Sequence, residues 1–241
     1  MSLDEKRPGG NVPDAALPHV VPLASPTPGI GLWWCALDAS AARLQSCERW
    51  LSAAEHARAG RFGRRDLRDR YVIGRGSLRM VLGRTLGIDP AEVPIVRGIR
   101  GRPQLAGDAS LDFNISHTGA VALIGTLRDA RIGVDVERID RTINVAGIAR
   151  RFLTEHERDA IAPLDPDAAR KAVLTLWTCK EAMSKATGDA LSAPFASLDV
   201  DLRGGRALRG GRGEYEPRRW TLHAAAVPSE HVATVAVWQP S

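Results

Sequence analysis

Hydrophobic residues along this chain alternate between a strand-like period of two and a helical spacing of three to four, and they do so twice in the same order. A short apolar run from Ile30 to Leu37 reads as a strand. Ala41 to Ala59 then reads as helix, with Leu44, Cys47 and Leu51 three or four residues apart, and Arg65 to Leu86 as a second helix stopped by Gly87. Short extended segments follow at Val93–Val96 and Leu111–Ile115, and Val121–Leu127 and Arg131–Glu137 flank the polar turn Arg128-Asp129-Ala130 as an expected hairpin. The sequence then returns to helix at Val145–Arg151, Glu155–Ile161 and Ala168–Ala186, and to strand at Leu198–Leu202, Arg219–Ala226 and Val232–Trp238.

That order predicts an α+β protein of two similar subdomains related by pseudo-twofold symmetry. Each would be a small, mainly antiparallel sheet packed with helices, with a site in the cleft. The predicted divisions are a flexible leader at 1–29, rich in Pro, Ala, Gly and Ser, an N-terminal subdomain at 30–126 and a C-terminal one at 127–241.

Composition narrows the classes of function. The formal net charge of +5, from 33 Lys and Arg against 28 Asp and Glu, favours anionic partners without choosing among them. Cys35, Cys47 and Cys179 are too few and too scattered for a disulfide framework or a zinc site, and read as reduced structural thiols. No stretch approaches the ~20 apolar residues of a membrane span, and the first residues carry no secretory pattern, so the expected location is the cytoplasm with no membrane partner.

Three clusters carry chemistry. In Arg131-Ile132-Gly133-Val134-Asp135-Val136-Glu137 the side chains of a strand alternate, so Val134 and Val136 enter a core while Asp135 and Glu137 share the other face, ~7 Å apart. Two carboxylates so placed suit a hard divalent cation; a solvated acidic face paired to Arg131 or Arg138 would account for the same residues. In Leu176-Trp177-Thr178-Cys179-Lys180-Glu181-Ala182-Met183-Ser184-Lys185 helical spacing puts Trp177, Glu181 and Lys185 on one face. That offers a third carboxylate and an ammonium, or only an i,i+4 ion pair beside a core tryptophan. The turn Phe113-Asn114-Ile115-Ser116-His117-Thr118-Gly119 offers hydroxyls, an imidazole and backbone amides to a phosphate, and Gly101-Arg102-Pro103 is a tight turn able to hold a guanidinium near an anion. The arginines from Arg58 to Arg79 make a basic stretch, but no nucleic-acid motif accompanies them.

Taken together, the basic stretch LSAAEHARAGRFGRRDLRDRYVIGRGSLR, GRP, FNISHT, IGVDVE, RFLTEHE and LWTCKEAMSKATG resemble the phosphopantetheinyl transferase superfamily, in particular its Sfp type, from about Leu51 to about Leu198. The resemblance implies transfer of phosphopantetheine from coenzyme A to a serine of an acyl or peptidyl carrier protein, releasing adenosine bisphosphate. It implies magnesium held by Asp135, Glu137 and Glu181. Lys180 and Lys185 would lie near the phosphates, Ser116 and His117 at the nucleotide end, and Gly101, Arg102 and Pro103 beside the adenine. Arg58 and Arg70 match basic positions that reach phosphates, and Glu157 an acidic position near the metal's water. Glu181 or Glu137 would be the base, with Lys185 assisting. Arg102 stands where many members have Lys, Thr118 where Ser is common, and Glu55 where some members have a basic residue. A monomer supplying both walls of its own site is expected. The competing reading is a non-enzymatic coenzyme A or nucleotide-binding protein, which would need the phosphate contacts but no third carboxylate.

Overall fold

The computed structural model describes residues 14–98, 100–107, 110–142 and 144–239. In chain order the elements are strands β1 (Val20–Pro22) and β2 (Gly31–Ala36), then helices α1 (Ala41–Trp50), α2 (Ala53–Ala59) and α3 (Arg65–Leu86). Strands β3 (Ile95–Arg97), β4 (Pro103–Leu105), β5 (Leu111–Thr118), β6 (Val121–Arg128) and β7 (Arg131–Arg138) follow, then helices α4 (Val145–Phe152), α5 (Glu155–Ile161) and α6 (Pro166–Thr187). Strands β8 (Asp199–Asp201), β9 (Ala207–Gly210), β10 (Trp220–Ala224) and β11 (His231–Trp238) complete the chain. The class is α+β, with six α-helices among the described residues and small antiparallel sheets.

These elements form two compact units, residues 1–21 with 35–94 and residues 22–34 with 95–241. β5 lies in the same unit as β7 and is tied to it by side-chain hydrogen bonds. Part of the expected leader also has structure: Asp14–Ala16 is a turn of 3-10 helix and Val20–Pro22 a strand, while residues 1–13 lie outside the described residues.

In the first unit, the single helix expected over Ala41–Ala59 is two. Leu51 is extended, and Ser52 opens a new helix with a capping box: its hydroxyl accepts from the Glu55 amide and the Glu55 carboxylate accepts from the Ser52 amide. Glu55 is buried and also pairs with Arg75 at 2.8 Å and Arg79 at 2.7 Å on α3. Burial works against its charge, but the two guanidiniums and the Ser52 amide outweigh it and hold its carboxyl below the ordinary value. Arg79, 2% exposed, donates from Nη1 to the carbonyls of Pro90, Ala91 and Val93. The three cysteines are buried free thiols, and burial pushes Cys35 and Cys47 up to about 12.

The second unit is built on two antiparallel ladders. β5 pairs with β6, Leu111 opposite Arg128 and Thr118 opposite Val121, and β6 lies between β5 and β2. The other sheet runs β10–β11–β7, with Arg131 opposite Trp238 and Glu137 opposite Val232. The expected β6–β7 hairpin is therefore not a pairing. Its turn is present, with Asp129 at a φ of 60°, but the two strands enter different sheets.

What joins β5 to β7 is a ladder of side chains. Asp112 Oδ2 accepts from the Ile132 amide at 2.8 Å, Asn114 Oδ1 from Val134 at 3.1 Å, and Ser116 Oγ from Val136 at 3.4 Å. Both strands advance by two residues per rung, so they run parallel, and polar side chains satisfy the free amide edge of β7 in place of backbone. One face of β7, with Ile132, Val134 and Val136, packs with Leu32, Leu123, Ala233 and Val235. The other lies against α6 so closely that a Cβ at Gly133 would stand 1.9 Å from the Ala182 carbonyl oxygen. α6 is fixed at both ends: the Asp165 side chain caps the amides of Asp167 and Ala168, and Gly188 closes it at a φ of 88°.

Candidate active site

The close approach at Gly133 sets α6 beside the second face of β7, and each element brings its charged residues to one place. Asp135 and Glu137 occupy the same face of β7 and are nearly buried, at 4% and 8% exposure, so the solvated acidic face is not what forms. Lys185 of α6 donates to Asp135 Oδ1 at 2.6 Å and to Ser116 Oγ at 2.8 Å, and Ser116 itself donates to Asp135 Oδ1 at 2.7 Å. Asp135 Oδ2 is buried with no hydrogen-bond partner. Glu137 accepts from the Thr118 hydroxyl at 3.2 Å and from the Arg141 guanidinium.

Glu181, one turn before Lys185, completes the acidic group. Burial, then the charge of Asp135, and more weakly that of Glu137, push its carboxyl above the ordinary value, with Lys185 opposing. No hydrogen bond to its carboxylate is formed by any described residue. His117 is open to solvent, yet enough protein surrounds the ring, with Lys185 nearby, to lower its affinity for a proton. Beside Lys185 lies a cavity of about 250 Å³ whose walls include Gly101, Pro103, Ile115, Ser184 and Gly188. Ser184 Oγ is another buried atom without a partner.

Lys180, expected near the phosphates, and Arg102, expected beside the adenine, are committed elsewhere. Lys180, whose side chain is 0% exposed, donates to the carbonyls of Phe152 and Phe195 and pairs at 2.6 Å with Glu157, itself 0% exposed. Glu157 also accepts from the Thr154 and Val200 amides, so it is enclosed rather than near a metal's water. One helical step separates Lys180 from Glu181 and turns the side chain about 100° away. Arg102 also faces inward: it holds Asp112 through two bonds of 2.7 Å and donates to the carbonyls of Lys185, Phe113 and Ile132. It ties α6, β5 and β7 together, and Arg102 lines the cavity with its neighbours Gly101 and Pro103. Arg58 and Arg70 lie on α2 and α3 in the other unit, Arg58 with its guanidinium carbon 5.7 Å from the centre of the Tyr71 ring.

Asp112 and Asn114 escape a reading of the sequence that treats the Phe113–Gly119 segment as a turn. Their signal was the alternation of Asp112, Asn114 and Ser116 along one face of β5, opposite buried Leu111 and Phe113.

No group of three His, Cys, Asp or Glu among the described residues is already gathered as a metal cage. The donor set fits a hard cation nonetheless. The orphaned Asp135 Oδ2 lacks a partner, and the raised pKa of Glu181 marks three carboxylates whose charges oppose one another.

Residues 131–236 match the family described as the 4'-phosphopantetheinyl transferase superfamily, and residues 36–128 the one described as 4'-phosphopantetheinyl transferase, N-terminal. Over 218 residues the chain is 34% identical to the 4'-phosphopantetheinyl transferase HetI of Nostoc, covering 88% of this chain and 90% of that one. The chain belongs to the 4'-phosphopantetheinyl transferase superfamily. It is also 28% identical over 153 residues to a 4'-phosphopantetheinyl transferase of Bacillus subtilis, covering 64% of this chain and 67% of that one. A human relative, the L-aminoadipate-semialdehyde dehydrogenase-phosphopantetheinyl transferase, is 25% identical, covering 82% of this chain and 72% of its own. Both Asp135-Glu137 and Glu181-Lys185 fall in the part of this transferase that matches the superfamily, as does the enclosed Lys180–Glu157 pair.

Proposed function

We propose that this phosphopantetheinyl transferase moves the phosphopantetheine arm of coenzyme A onto a serine of an acyl or peptidyl carrier protein with magnesium held by Asp135, Glu137 and Glu181. The observation that carries the metal assignment is the buried, unpartnered Asp135 Oδ2 beside a glutamate whose charge its neighbours oppose. Magnesium, when bound, supplies neutralisation of the diphosphate oxygens.

The chain's own residues do the rest. Lys185, with 27% of its side chain exposed, is a cation open to a phosphate oxygen. A phosphate there would compete with Asp135 for the ammonium, and Asp135, Glu137 and Glu181 would hold the magnesium. The cavity flanked by Gly101 and Pro103 suits the adenine, and His117 the ribose phosphate. The serine oxygen attacks the phosphorus that bears the pantetheine arm, the phosphorus–oxygen bond to adenosine bisphosphate breaks, and the leaving group takes the electron pair. Glu181 receives the serine proton, directly or through water. Glu137 is the less available of the two, because Arg141 and Thr118 engage it.

The competing reading, a coenzyme A sensor without chemistry, leaves Glu181 without a role. Mass spectrometry of apo carrier proteins incubated with the chain, coenzyme A and magnesium decides between them. The expected result is a gain of one phosphopantetheine, lost in excess chelator and lost in Asp135→Ala with the fold retained. Full turnover by that variant, or in chelator, would sink the metal assignment. Among the described residues no helix is long and apolar enough to cross a membrane, and we place the reaction in the cytoplasm.

A further inference from the structure

The β8–β9 hairpin carries three arginines, and one of them has no counter-charge. Arg203 and Arg209 pair with Asp201 at 3.1 and 2.8 Å. Arg206 turns inward instead. Its Nη1 donates to the Ala233 carbonyl, to the Thr234 hydroxyl at 2.6 Å and, at 3.4 Å, to the His223 carbonyl. No carboxylate among the described residues forms an ion pair with it. The Thr234 hydroxyl is fully buried and shared with Thr178 at 2.8 Å and Cys179 at 3.4 Å. Burial raises the Cys179 thiol's pKa, so it stays neutral and gives no compensating charge, and burial also disfavours the charge on Arg206. A part-buried guanidinium with no carboxylate partner keeps donors available to an anion.

Arg206 borders a cavity of about 540 Å³, whose walls also include Thr175 of α6, His223, Pro26, Leu202 and Leu222. Gly205 leaves the rim open, at a φ of 131° with no atom within 4 Å of where a Cβ would stand. None of these walls is shared with the cavity beside Lys185. The contacts of Nη1 account for a structural tie, but they leave Nε and Nη2 with no acceptor among the described residues. Neither atom is a buried orphan, so both are within reach of solvent. The volume exceeds what a bare ion needs, and half of the named lining is apolar.

We propose that this cavity is a second ligand site, separate from the transfer site, that binds a small organic oxyanion: a carboxylate or phosphate on the Arg206 guanidinium, with a short apolar body against Pro26, Leu202 and Leu222. Charge-assisted hydrogen bonds from a guanidinium to such a group are among the stronger ones proteins make.

Calorimetry on the full chain tests this with hexanoate, hexyl phosphate and hexylamine, in the presence of saturating coenzyme A. Hexanoate or hexyl phosphate should bind saturably and hexylamine should not, and the tighter of the two anions identifies the head group. Arg206→Gln should weaken the anion roughly tenfold or more. Thr175→Trp, on the accessible face of α6, should block the cavity and abolish binding; it decides the matter if the Arg206 variant does not fold. Absence of saturable anion binding to the wild type overturns the proposal. So does equal binding by both variants, or displacement of the anion by coenzyme A.

Discussion

Glu181 is an acid that the metal-free fold holds at a disadvantage. Its folded pKa lies above the unfolded one, because burial and Asp135 favour the neutral form. Stability from this residue is therefore intact below the unfolded pKa, near 4.5, and is lost as pH rises toward the folded value. At neutral pH, Glu181→Gln should raise the thermal midpoint of the metal-free chain by a few degrees and abolish the extra stabilisation that magnesium gives the wild type. Calorimetric scans with and without magnesium read both; a lower midpoint in the variant would show that Glu181 is held by partners rather than opposed by charges. Lys180 makes the opposite case. Removing it by Lys180→Ala strands the Glu157 carboxylate in the interior at a cost of about 3–5 kcal/mol. The expected signature is a large fall in denaturation midpoint. A variant of normal stability with weak coenzyme A binding would return Lys180 to the phosphates. Helical spacing made the shared face of Glu181 and Lys185 legible in the sequence, whereas Trp177, expected on that face, packs against Phe152 and Phe195 beside Lys180. The resemblance alone put Lys180 with Glu181 and Lys185, and the burial of a lysine against a glutamate 23 positions away is a tertiary fact that no local pattern carries.

At the level of elements, one device occurs twice. A seven-residue helix opens with a capping box whose glutamate is buried and pairs with a cation on a following 22-residue helix: Glu55 of α2 with Arg79 of α3, and Glu157 of α5 with Lys180 of α6. In both cases the cation also holds backbone carbonyls, and the long helix ends at a left-handed glycine, Gly87 or Gly188. The repeated element order was visible in the sequence, since capping and periodicity are local. Strand partnership was not. Nothing between Val121 and Glu137 says that β7 takes β11 by its backbone and β5 by side chains, because the partner is chosen by packing over long separations. The β5 side chains then set where Asp135 stands relative to Ser116 and His117. Asn114→Ala removes the acceptor of the Val134 amide inside the protein, which should cost about 1–3 kcal/mol. It should also lower kcat more than it raises KM for coenzyme A, with Asn114→Asp, which keeps an acceptor oxygen, recovering most of both losses. Melting curves and steady-state kinetics on the pair of variants check this. If the Asp variant regains stability but not kcat, the rung supports the fold without positioning the site.

For the whole molecule, the question is whether one chain is sufficient. Ser116, His117, Asp135, Glu137, Glu181 and Lys185 all belong to the unit formed by residues 22–34 and 95–241, and the cavity beside Lys185 is lined entirely from that unit. No residue of this group has to come from a second copy. The small apolar residues that bring α6 onto β7 are likewise internal to it, with Ala182 and Ala186 fully buried against Gly133. An active monomer is therefore expected, and coenzyme A should stabilise it by mass action without changing its mass class. Light scattering across a dilution series, with and without coenzyme A and alongside transfer assays, measures this directly. The expected result is a constant mass of one chain, 26.0 kDa, and a specific activity independent of protein concentration. Activity that falls on dilution in step with dissociation of a larger species would mean that a partner copy completes the site, and the self-sufficient arrangement would be wrong.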